Sequence, residues 1–497
     1  MYFKLTHFIG IIIAPLGLKM KKTFSYQTSI FFDEYIDSKS SARKGYKRSI
    51  DFFHSLSPSE RVFYTNLCES SISSMGVTFQ LDANELQDRS WPLDLIPRII
   101  ASNKWKLIQK GLIQRVKALN YFINDVYNKQ VFLAKNPVLK ELVLESSNFL
   151  PECMGITPKN KVWSNICGTD LIRDDKGKFF VLEDNLRVPS GVAYMLENRN
   201  VMKKVVTDLF NKYQVSPVDD YTSQLYTCLS NASYSKEKNK TIVILSPGVF
   251  NSAYFEHAYL AQQMGVDLVE SSDLFLSKDN YVCLKTINGE KKVDVIYRRV
   301  NDNFLDPEVW EKDSVLGVPG IIKSWKEKKI AIVNAPGSGV ADDKAVYAFV
   351  PKMIEFFLGE KSKLKQVKTY LCAFEKDKQY VLENISKLVL KPVNESGGYG
   401  ILIGPSATKK ELSQYKLKIQ SNPRNFVAQP LIKLSTTPTL IKTSIQPRHI
   451  DLRPFILSGN KTFVTNGGLT RVALKKGSTI VNSSQGGGSK DTWIINS

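Results

Sequence analysis

The sequence predicts an α/β (α+β) protein made of several packed parts, and three stretches carry this prediction. Residues 168–191 (GTDLIRDDKGKFFVLEDNLRVPSG) place two alternating apolar runs around a turn, which is typical of a β-hairpin. Residues 241–270 give a buried strand, an amphipathic helix and a second strand, the pattern of a small doubly wound unit. Residues 387–404 give a strand, a glycine-rich loop and another strand.

The length of the chain indicates more than one core. At 497 residues it exceeds a single typical core, so two to four subdomains are expected. Its 43% apolar and 11% aromatic content excludes wholesale disorder. The charged stretch 233–240 and the change of pattern after residue 331 suggest the boundaries, which are 1–75, 76–232, 241–330 and 331–497.

The net charge of +20, from 68 basic and 48 acidic residues, raises the question of a nucleic-acid partner. The lysines are scattered, and the sequence has no zinc-finger, basic-zipper or RNP-like pattern. We therefore expect a solvated surface that attracts anionic nucleotides, and no nucleic acid as partner. A nucleic-acid-binding protein is the alternative, and salt-dependent binding would distinguish it.

The sequence also favours the cytoplasm and no membrane. The apolar run at 8–18 is too short to span a bilayer, and Met20 is the expected start, with the first nineteen residues as an extension. A weak signal peptide is the alternative. The six cysteines form no C-x-x-C pair and the four histidines lack metal-ligand spacing, so neither disulfides nor zinc is expected.

The predicted hairpin carries three oxygen ligands. Glu183 and Asn185 share one face of its second strand, because side chains alternate with period two. If residues 176–177 form the loop, Asp170 lies directly opposite Glu183, at roughly 4.5–5.5 Å. Two carboxylates that close repel or share a proton, and a divalent cation removes the conflict. The set suits Mg²⁺, with a solvent-exposed acidic hairpin as the alternative.

Three arginines are candidate substrate ligands. Arg187 and a Pro-Ser-Gly turn follow the hairpin ligands, and phosphate chemistry uses an anion-binding Arg beside a cation site. Arg298 and Arg299 end a predicted strand at 292–300, and ligands bind at the C-terminal ends of such strands. For this pair, a structural salt bridge is as well supported as a substrate carboxylate.

Two predicted helices flank the hairpin. Apolar residues recur at three- and four-residue spacing over 103–134, and a second helix runs through 197–210. Arg98, Gln114 and Arg115 lie in or near the first of these, and we expect ordinary surface contacts for each.

The last part of the chain offers cations and glycines. Lys344 falls on the first turn of a predicted helix. Lys391 is a cation inside an apolar strand and needs a partner, which phosphates under the following loop would supply. That loop contains Gly397, Gly398 and Gly400, whose backbone N–H groups can approach phosphate oxygens, although tight turns use the same residues.

These motifs resemble a known family. GTDLIR, thirteen positions from Asp170 to Glu183, then E-x-N and a Pro/Gly turn, look like the metal-binding end of an ATP-grasp ligase. Here that motif precedes the glycine-rich loop, which is the order of the circularly permuted type 2 ATP-grasp family, also called glutathionylspermidine synthase-like. From about residue 76 onward, the resemblance implies a permuted C-terminal part (76–232), a preATP-grasp-like domain (241–330) and a nucleotide-binding part (331–497).

The resemblance also implies roles for residues. Gln429 and the backbone of Leu431 would face adenine, because NFVAQPLI resembles the adenine-holding strand and hinge. Arg453 and Arg471 match positions that contact phosphates or the acyl-phosphate. The implied ATP ligands include Lys344 and Lys391, with Mg²⁺ on the hairpin, and the implied catalytic residues are Lys391, Arg453 and Arg471.

The implied activity is that of an ATP-dependent, ADP-forming carboxylate–amine ligase acting through an acyl-phosphate. Such chemistry needs positioning and charge neutralisation more than a protein nucleophile, and the sequence has no G-x-S-x-G motif. The expected substrates are a small-molecule or peptide carboxylate and an amine, and the family suggests an α-helical companion protein encoded nearby. A catalytically inactive ATP-binding regulatory or scaffold protein is the alternative.

Overall fold

The computed structural model describes residues 26–79, 89–393, 400–479, 481 and 486–496. Over these ranges the chain is a mixed α/β protein, which confirms the predicted class. In chain order its helices are α1 (Lys47–Ser55), α2 (Pro58–Ser74), α3 (Ser102–Val126), α4 (Val131–Ala134), α5 (Pro137–Leu144), α6 (Val192–Val205), α7 (Thr207–Phe210), α8 (Tyr221–Ala232), α9 (Tyr254–Met264), α10 (Ile321–Lys326), α11 (Lys344–Tyr347), α12 (Val350–Leu358), α13 (Glu375–Asn384) and α14 (Lys409–Ser421). None of the helices in these ranges is both long and apolar enough to cross a membrane.

The strands form five sheets in the described ranges. In chain order they are β1 (Thr78–Phe79), β2 (Arg89–Ser90), β3 (Leu93–Ala101), β4 (Ile166–Arg173), β5 (Phe179–Asn185), β6 (Ile242–Leu245), β7 (Asp267–Val269), β8 (Leu274–Leu276), β9 (Val282–Thr286), β10 (Gly289–Lys292), β11 (Val295–Arg298), β12 (Ala331–Val333), β13 (Lys365–Gln366), β14 (Tyr370–Leu371), β15 (Leu388–Pro392), β16 (Leu402–Ile403), β17 (Phe426–Pro430), β18 (Thr436–Ile441), β19 (Ser444–Arg453), β20 (Phe455–Ser458), β21 (Thr462–Val464), β22 (Leu469–Val472) and β23 (Gly488–Ile495).

The largest sheet joins distant parts of the chain. Its main path runs β13-β5-β4-β19-β22-β23-β3, and β4 is buried along its whole length. Strand β4 pairs antiparallel with β19 at Leu171 and Leu452, and with β20 at Cys167 and Ile456. This pairing places the hairpin beside strands from the last part of the chain, as the permuted order implied by the resemblance requires.

The hairpin β4–β5 has the predicted register but a different turn. Asp170 lies opposite Glu183, as expected. The loop, however, has three residues, 175–177, because Asp174 N donates to Lys178 O at 3.0 Å and Gly177 adopts a positive φ of 73°. This is the usual three-residue hairpin loop with a left-handed glycine. A bulge at Leu182 then restores the pairing of the two carboxylate residues.

A second, four-stranded sheet lies in the middle of the chain. Its order is β12-β11-β6-β7, and every pair is parallel. Helix α9 connects β6 to β7, which confirms the predicted strand–helix–strand pattern. Strand β12 begins at Ala331 and pairs with β11, so this sheet extends to Val333, beyond the boundary placed at residue 330.

A third unit carries the strand before the glycine-rich loop. The sheet β14-β17-β15-β16 is antiparallel throughout and has its own apolar cluster, in which α13 and α14 supply Val381, Tyr415 and Ile419. The predicted pairing of two strands across residues 387–404 is confirmed by Leu390 opposite Leu402. Gly397 and Gly398 lie outside the described residues.

The helix predicted over 103–134 is interrupted. α3 ends at Val126, Gln130 has a positive φ of 51°, and α4 begins at Val131. The carboxylate of Asp125 accepts from Val131 N and Phe132 N, both at 2.9 Å, so it caps the new helix. The helix predicted through 197–210 is likewise split between α6 and α7.

Candidate functional site

The central feature of the candidate site is a carboxylate held by two arginines. Asp170, on β4, is fully buried. Arg453 donates to both of its oxygens, Nε to Oδ1 at 2.6 Å and Nη2 to Oδ2 at 2.8 Å, and Arg471 Nη2 donates to Oδ2 at 2.7 Å. Arg471 also pairs with Asp451, which lies opposite it across β19 and β22. The hairpin and the last two predicted arginines therefore meet in one place.

This arrangement fixes the ionisation of Asp170. Burial favours the neutral acid, but the charges of Arg453 and Arg471 outweigh it and hold the pKa of Asp170 well below its usual value. In the same cluster, burial raises the pKa of Asp451 despite the charge of Arg471. Two arginines thus neutralise the charge of Asp170, one of the two facing carboxylates for which the sequence suggested a cation.

The donor set still fits a small divalent cation. A carboxylate has about four acceptor positions, and the arginines occupy three of those of Asp170. The Glu183 carboxyl also lies within hydrogen-bonding distance of Asp170, so the two acidic side chains are direct neighbours. Glu183 is half-buried and forms no ion pair with a described Lys or Arg. Asn185 donates through Nδ2 to Gly168 O at 3.2 Å, and its amide oxygen accepts no hydrogen bond from described residues. Two carboxylates and one amide are few ligands, all oxygen, as Mg²⁺ prefers.

In the described part of the chain, no larger acidic or thiol cluster offers an alternative metal site. Among the described residues, no group of three His, Cys, Asp or Glu side chains converges in a way that could hold a metal ion. A cation at the hairpin would therefore keep open positions for water and phosphate oxygens.

Lys391 is a buried cation of the candidate site. It lies on β15 opposite Val427, is 7% exposed, and makes no hydrogen bond or ion pair with the described residues. Burial lowers its pKa to about 8, while the charges of Glu183 and Asp170 raise it and that of Lys344 lowers it. Lys344 is the first residue of α11, as predicted, and Asp343 caps that helix. Both lysines and the hairpin carboxylates therefore share one electrostatic neighbourhood.

An apolar cluster lies between the hairpin and β17. Ile172, Val367 and Leu434 are buried there, with Leu182 and Ile432 packed against them. Of the predicted adenine-facing residues, Gln429 is buried and donates to Thr369 Oγ1 at 3.0 Å, and Leu431 is 38% exposed just after β17. Gly400 has a positive φ of 69°, and a side chain at this position would collide with the Pro392 ring. The contact of its N–H group with phosphate stays a prediction.

Arg298 and Arg299 make the contacts of the salt-bridge alternative. Arg298 is fully buried and donates to Asp302 at 2.9 Å and to the backbone oxygens of Asn334 and Val300. Arg299 binds Glu256 at 3.0 Å and the Pro189 carbonyl at 2.8 Å. Because Arg299 binds the Pro189 carbonyl, it fixes the position of the turn that follows the hairpin ligands.

Three residues expected on the surface are buried. Arg115 pairs with Asp184 at 2.6 Å, Arg98 pairs with Glu34 at 2.6 Å, and Gln114 donates to Glu360 at 2.7 Å. The expectation of surface contacts was wrong because each finds its partner far away in sequence. Asp184 lies between Glu183 and Asn185, so its bond to Arg115 anchors the opposite face of the ligand strand.

Sequence reasoning also missed Asp342. Its Oδ1 accepts from Leu186 N at 2.6 Å, directly after Asn185, and its Oδ2 lies 3.9 Å from Arg187 Nε. Burial raises the pKa of Asp342 to about 6, against the charge of Arg187. The only signal in the sequence was its position two residues before Lys344.

Comparison with known proteins gives a consistent picture. A family model described as circularly permuted ATP-grasp type 2 matches residues 97–473. An uncharacterized protein of Synechocystis is 48% identical over 95% of this chain and 98% of its own length, and one of Mycobacterium tuberculosis is 46% identical over 93% and 84%.

Two further comparisons concern ligase-like proteins. A Frankia casuarinae protein, provisionally named a glutamate–cysteine ligase, is 36% identical over 93% of this chain, but only 53% of that protein is covered. The structure of a glutathione synthetase-like effector from Globodera pallida superposes with a TM-score of 0.57 at 12% identity, covering 88% of this chain and 98% of the other. The structural likeness supports the fold alone.

Proposed function

The chain belongs to the circularly permuted type 2 ATP-grasp family, and on that premise we propose that it is an ATP-dependent, ADP-forming ligase that joins a carboxylate to an amine through an acyl-phosphate. The observation that carries the proposal is the convergence of Asp170, Arg453 and Arg471 with Glu183 and with Lys391, which has no partner among the described residues. Two lysines and two arginines close to an oxygen-ligand hairpin match the charge of a triphosphate and its metal.

Each group has a role in this scheme. Lys344 and Lys391 bind the phosphates of ATP, and Lys391 gains there a partner that its buried ammonium does not find among the described residues. Asp170, Glu183 and Asn185 would hold Mg²⁺, which supplies charge neutralisation for the transferred phosphoryl group. Arg453 and Arg471 stabilise the charge that develops on the acyl-phosphate. The apolar cluster of Ile172, Val367 and Leu434 accommodates the base.

The substrates are proposed only as chemical classes. The name of the Frankia protein belongs to a chain of which half lies outside the match, so glutamate and cysteine enter as two candidates among acids and amines. A reducing compartment such as the cytoplasm fits the six cysteines, which are all buried and free of disulfides.

The proposal is tested by a screen of acids and amines with ATP, Mg²⁺ and coupled ADP detection. We expect ADP release that requires both an acid and an amine, with one amide formed per ADP. ADP release that depends on neither would indicate an ATPase, and a phosphorylated acceptor without amide would indicate a kinase; either result contradicts the proposal.

A further inference from the structure

Asp342 lies where the two halves of the candidate site meet. Its Oδ1 accepts from Leu186 N at 2.6 Å, so its carboxylate touches the chain directly after the ligand Asn185. Two residues further along its own chain, Lys344 begins α11. Asp342 is therefore next to both the hairpin and the phosphate-binding helix, and its side chain keeps 22% of its surface exposed.

The Arg187 guanidinium lies near the Asp342 carboxylate but forms no hydrogen bond with it. The distance from Nε to Oδ2 is 3.9 Å, which is too long for a hydrogen bond. The Arg187 side chain makes no hydrogen bond to a described residue and is 31% exposed. The Asp342 carboxylate accepts from the backbone N–H groups of Leu186 and Arg187 and keeps part of its surface exposed. Beside it, a guanidinium with its donors available completes a pair of opposite charges that two substrate groups can separate.

The charges behind this pair alternate in sign. The charge of Asp302 raises the pKa of Asp342, and the charge of Arg187 lowers the pKa of Arg298. Asp302 and Arg298 form an ion pair at 2.9 Å. Because Arg298 and Asp302 neutralise each other, Arg187 and Asp342 remain able to interact with ligands. Burial raises the pKa of Asp342 only to about 6, so the carboxylate is charged at neutral pH.

We propose that Asp342 binds the ammonium group of the amine substrate, and that Arg187 binds the carboxylate of the acid substrate beside it. The inference rests on the proposed ligase function and narrows its second substrate to amines that are cationic in solution. Asp342 then places the nitrogen beside the hairpin ligands, where the acyl-phosphate forms. The bound ammonium first gives one proton to solvent, because Asp342 is partly exposed. The free amine then forms the C–N bond as the C–O bond to phosphate breaks, and the leaving phosphate takes the second proton.

The test separates the amine step from the steps before it. Hydroxylamine is mostly neutral near neutral pH and traps acyl-phosphates as hydroxamates, so it needs no ammonium site. Asp342→Asn keeps an oxygen to accept from Leu186 N but loses the charge. We expect this variant to form hydroxamate from the acid found in the screen, to bind ATP like the wild type, and to show a KM for the amine raised at least about tenfold. Glu311→Gln, an exposed acid in the same half of the chain, should change none of these values.

The outcomes distinguish this inference from the proposed function. If wild-type protein forms neither hydroxamate nor amide, the ligase proposal fails and this inference with it. If Asp342→Asn leaves the KM for the amine unchanged, the ligase proposal stands and the ammonium site is wrong. If the variant binds ATP but forms no hydroxamate, Asp342 acts before the amine enters, which also overturns the inference.

Discussion

Arg453 makes a two-pronged contact with Asp170, at 2.6 and 2.8 Å, although 283 residues separate them in sequence. The contact joins the end of β19 to the ligand strand β4, whose neighbouring residues Leu452 and Leu171 are paired across the sheet. It also reaches the turn after the ligands, since Arg453 Nη1 donates to Ser190 O at 3.2 Å. One guanidinium thus fixes both the carboxylate and the turn, which lie 283 and 263 residues before it in the sequence.

Removing this guanidinium should destabilise the protein in a pH-dependent way. Arg453→Met leaves the buried Asp170 with Arg471 alone, and we expect a loss of about 2 kcal/mol or more in the free energy of unfolding. The pKa of Asp170 is depressed in the folded state, so this stabilisation is present above the unfolded pKa of about 4 and disappears as pH falls below it. Urea unfolding at neutral and acidic pH measures the difference. The exposed-cation control Lys461→Met should be neutral, and an equal loss at both pH values would contradict the explanation.

The hairpin ligands should control metal-dependent turnover. Glu183→Gln keeps the shape of the side chain but removes one charge from the proposed Mg²⁺ site, so turnover should fall at least about a hundredfold. Glu237→Gln, an exposed acid far from the hairpin, should behave as wild type. ADP release measured against Mg²⁺ concentration is the readout. Retention of most activity by Glu183→Gln would make the hairpin purely structural.

The sequence predicts the local part of the site well. Period-two alternation places Glu183 and Asn185 on one face, and the structure puts Asp170 opposite Glu183 as expected. The loop length was wrong, and the register survives because the bulge at Leu182 compensates for the extra loop residue. A turn-former-rich stretch such as DDKG fixes where a hairpin turns but not how many residues the turn uses.

Long-range pairing explains what sequence reasoning missed. Asp342 is one of two adjacent aspartates in a turn, and its contact with Leu186 spans 156 residues. Burial is equally hidden, because Arg98 and Arg115 follow a polar pattern yet each finds a carboxylate partner inside the protein. A charged residue looks exposed in sequence until its partner is known.

Lys391 should lower the stability of the nucleotide-free protein and increase its affinity for ATP. Its buried ammonium has no partner among the described residues, so Lys391→Met should raise the free energy of unfolding of the nucleotide-free protein by about 1 to 3 kcal/mol. The folded-state pKa is lowered, so the cost is present in full below about pH 8 and fades above it. The same variant should bind ATP about 10- to 100-fold more weakly. Thermal unfolding and calorimetric titration measure both, and a destabilised variant would refute the assignment.

Nucleotide affinity should weaken in alkaline solution. With a pKa of about 8 in the free protein, Lys391 loses its charge as pH rises above that value, and the KM for MgATP should increase. Lys391→Arg keeps its charge over the same range and should give a flat profile. Initial rates at saturating acid and amine, followed from neutral pH upward, provide the measurement. Parallel profiles for the two proteins would assign the pH effect to another group.

The fate of one oxygen atom distinguishes the proposed reaction from simpler ones. If the acid is activated as an acyl-phosphate, one of its carboxylate oxygens leaves with the phosphate when the amine forms the C–N bond. An ATPase takes that oxygen from water, and a kinase leaves the phosphoryl group on its acceptor. The structure favours the first course, because Arg453 and Arg471 converge beside the hairpin ligands and Arg187 has donors available for the acid. With an acid labelled by ¹⁸O, we therefore expect label in inorganic phosphate, detected by mass spectrometry. Amide formed from the labelled acid without labelled phosphate would exclude the acyl-phosphate while leaving the ATP and magnesium sites in place.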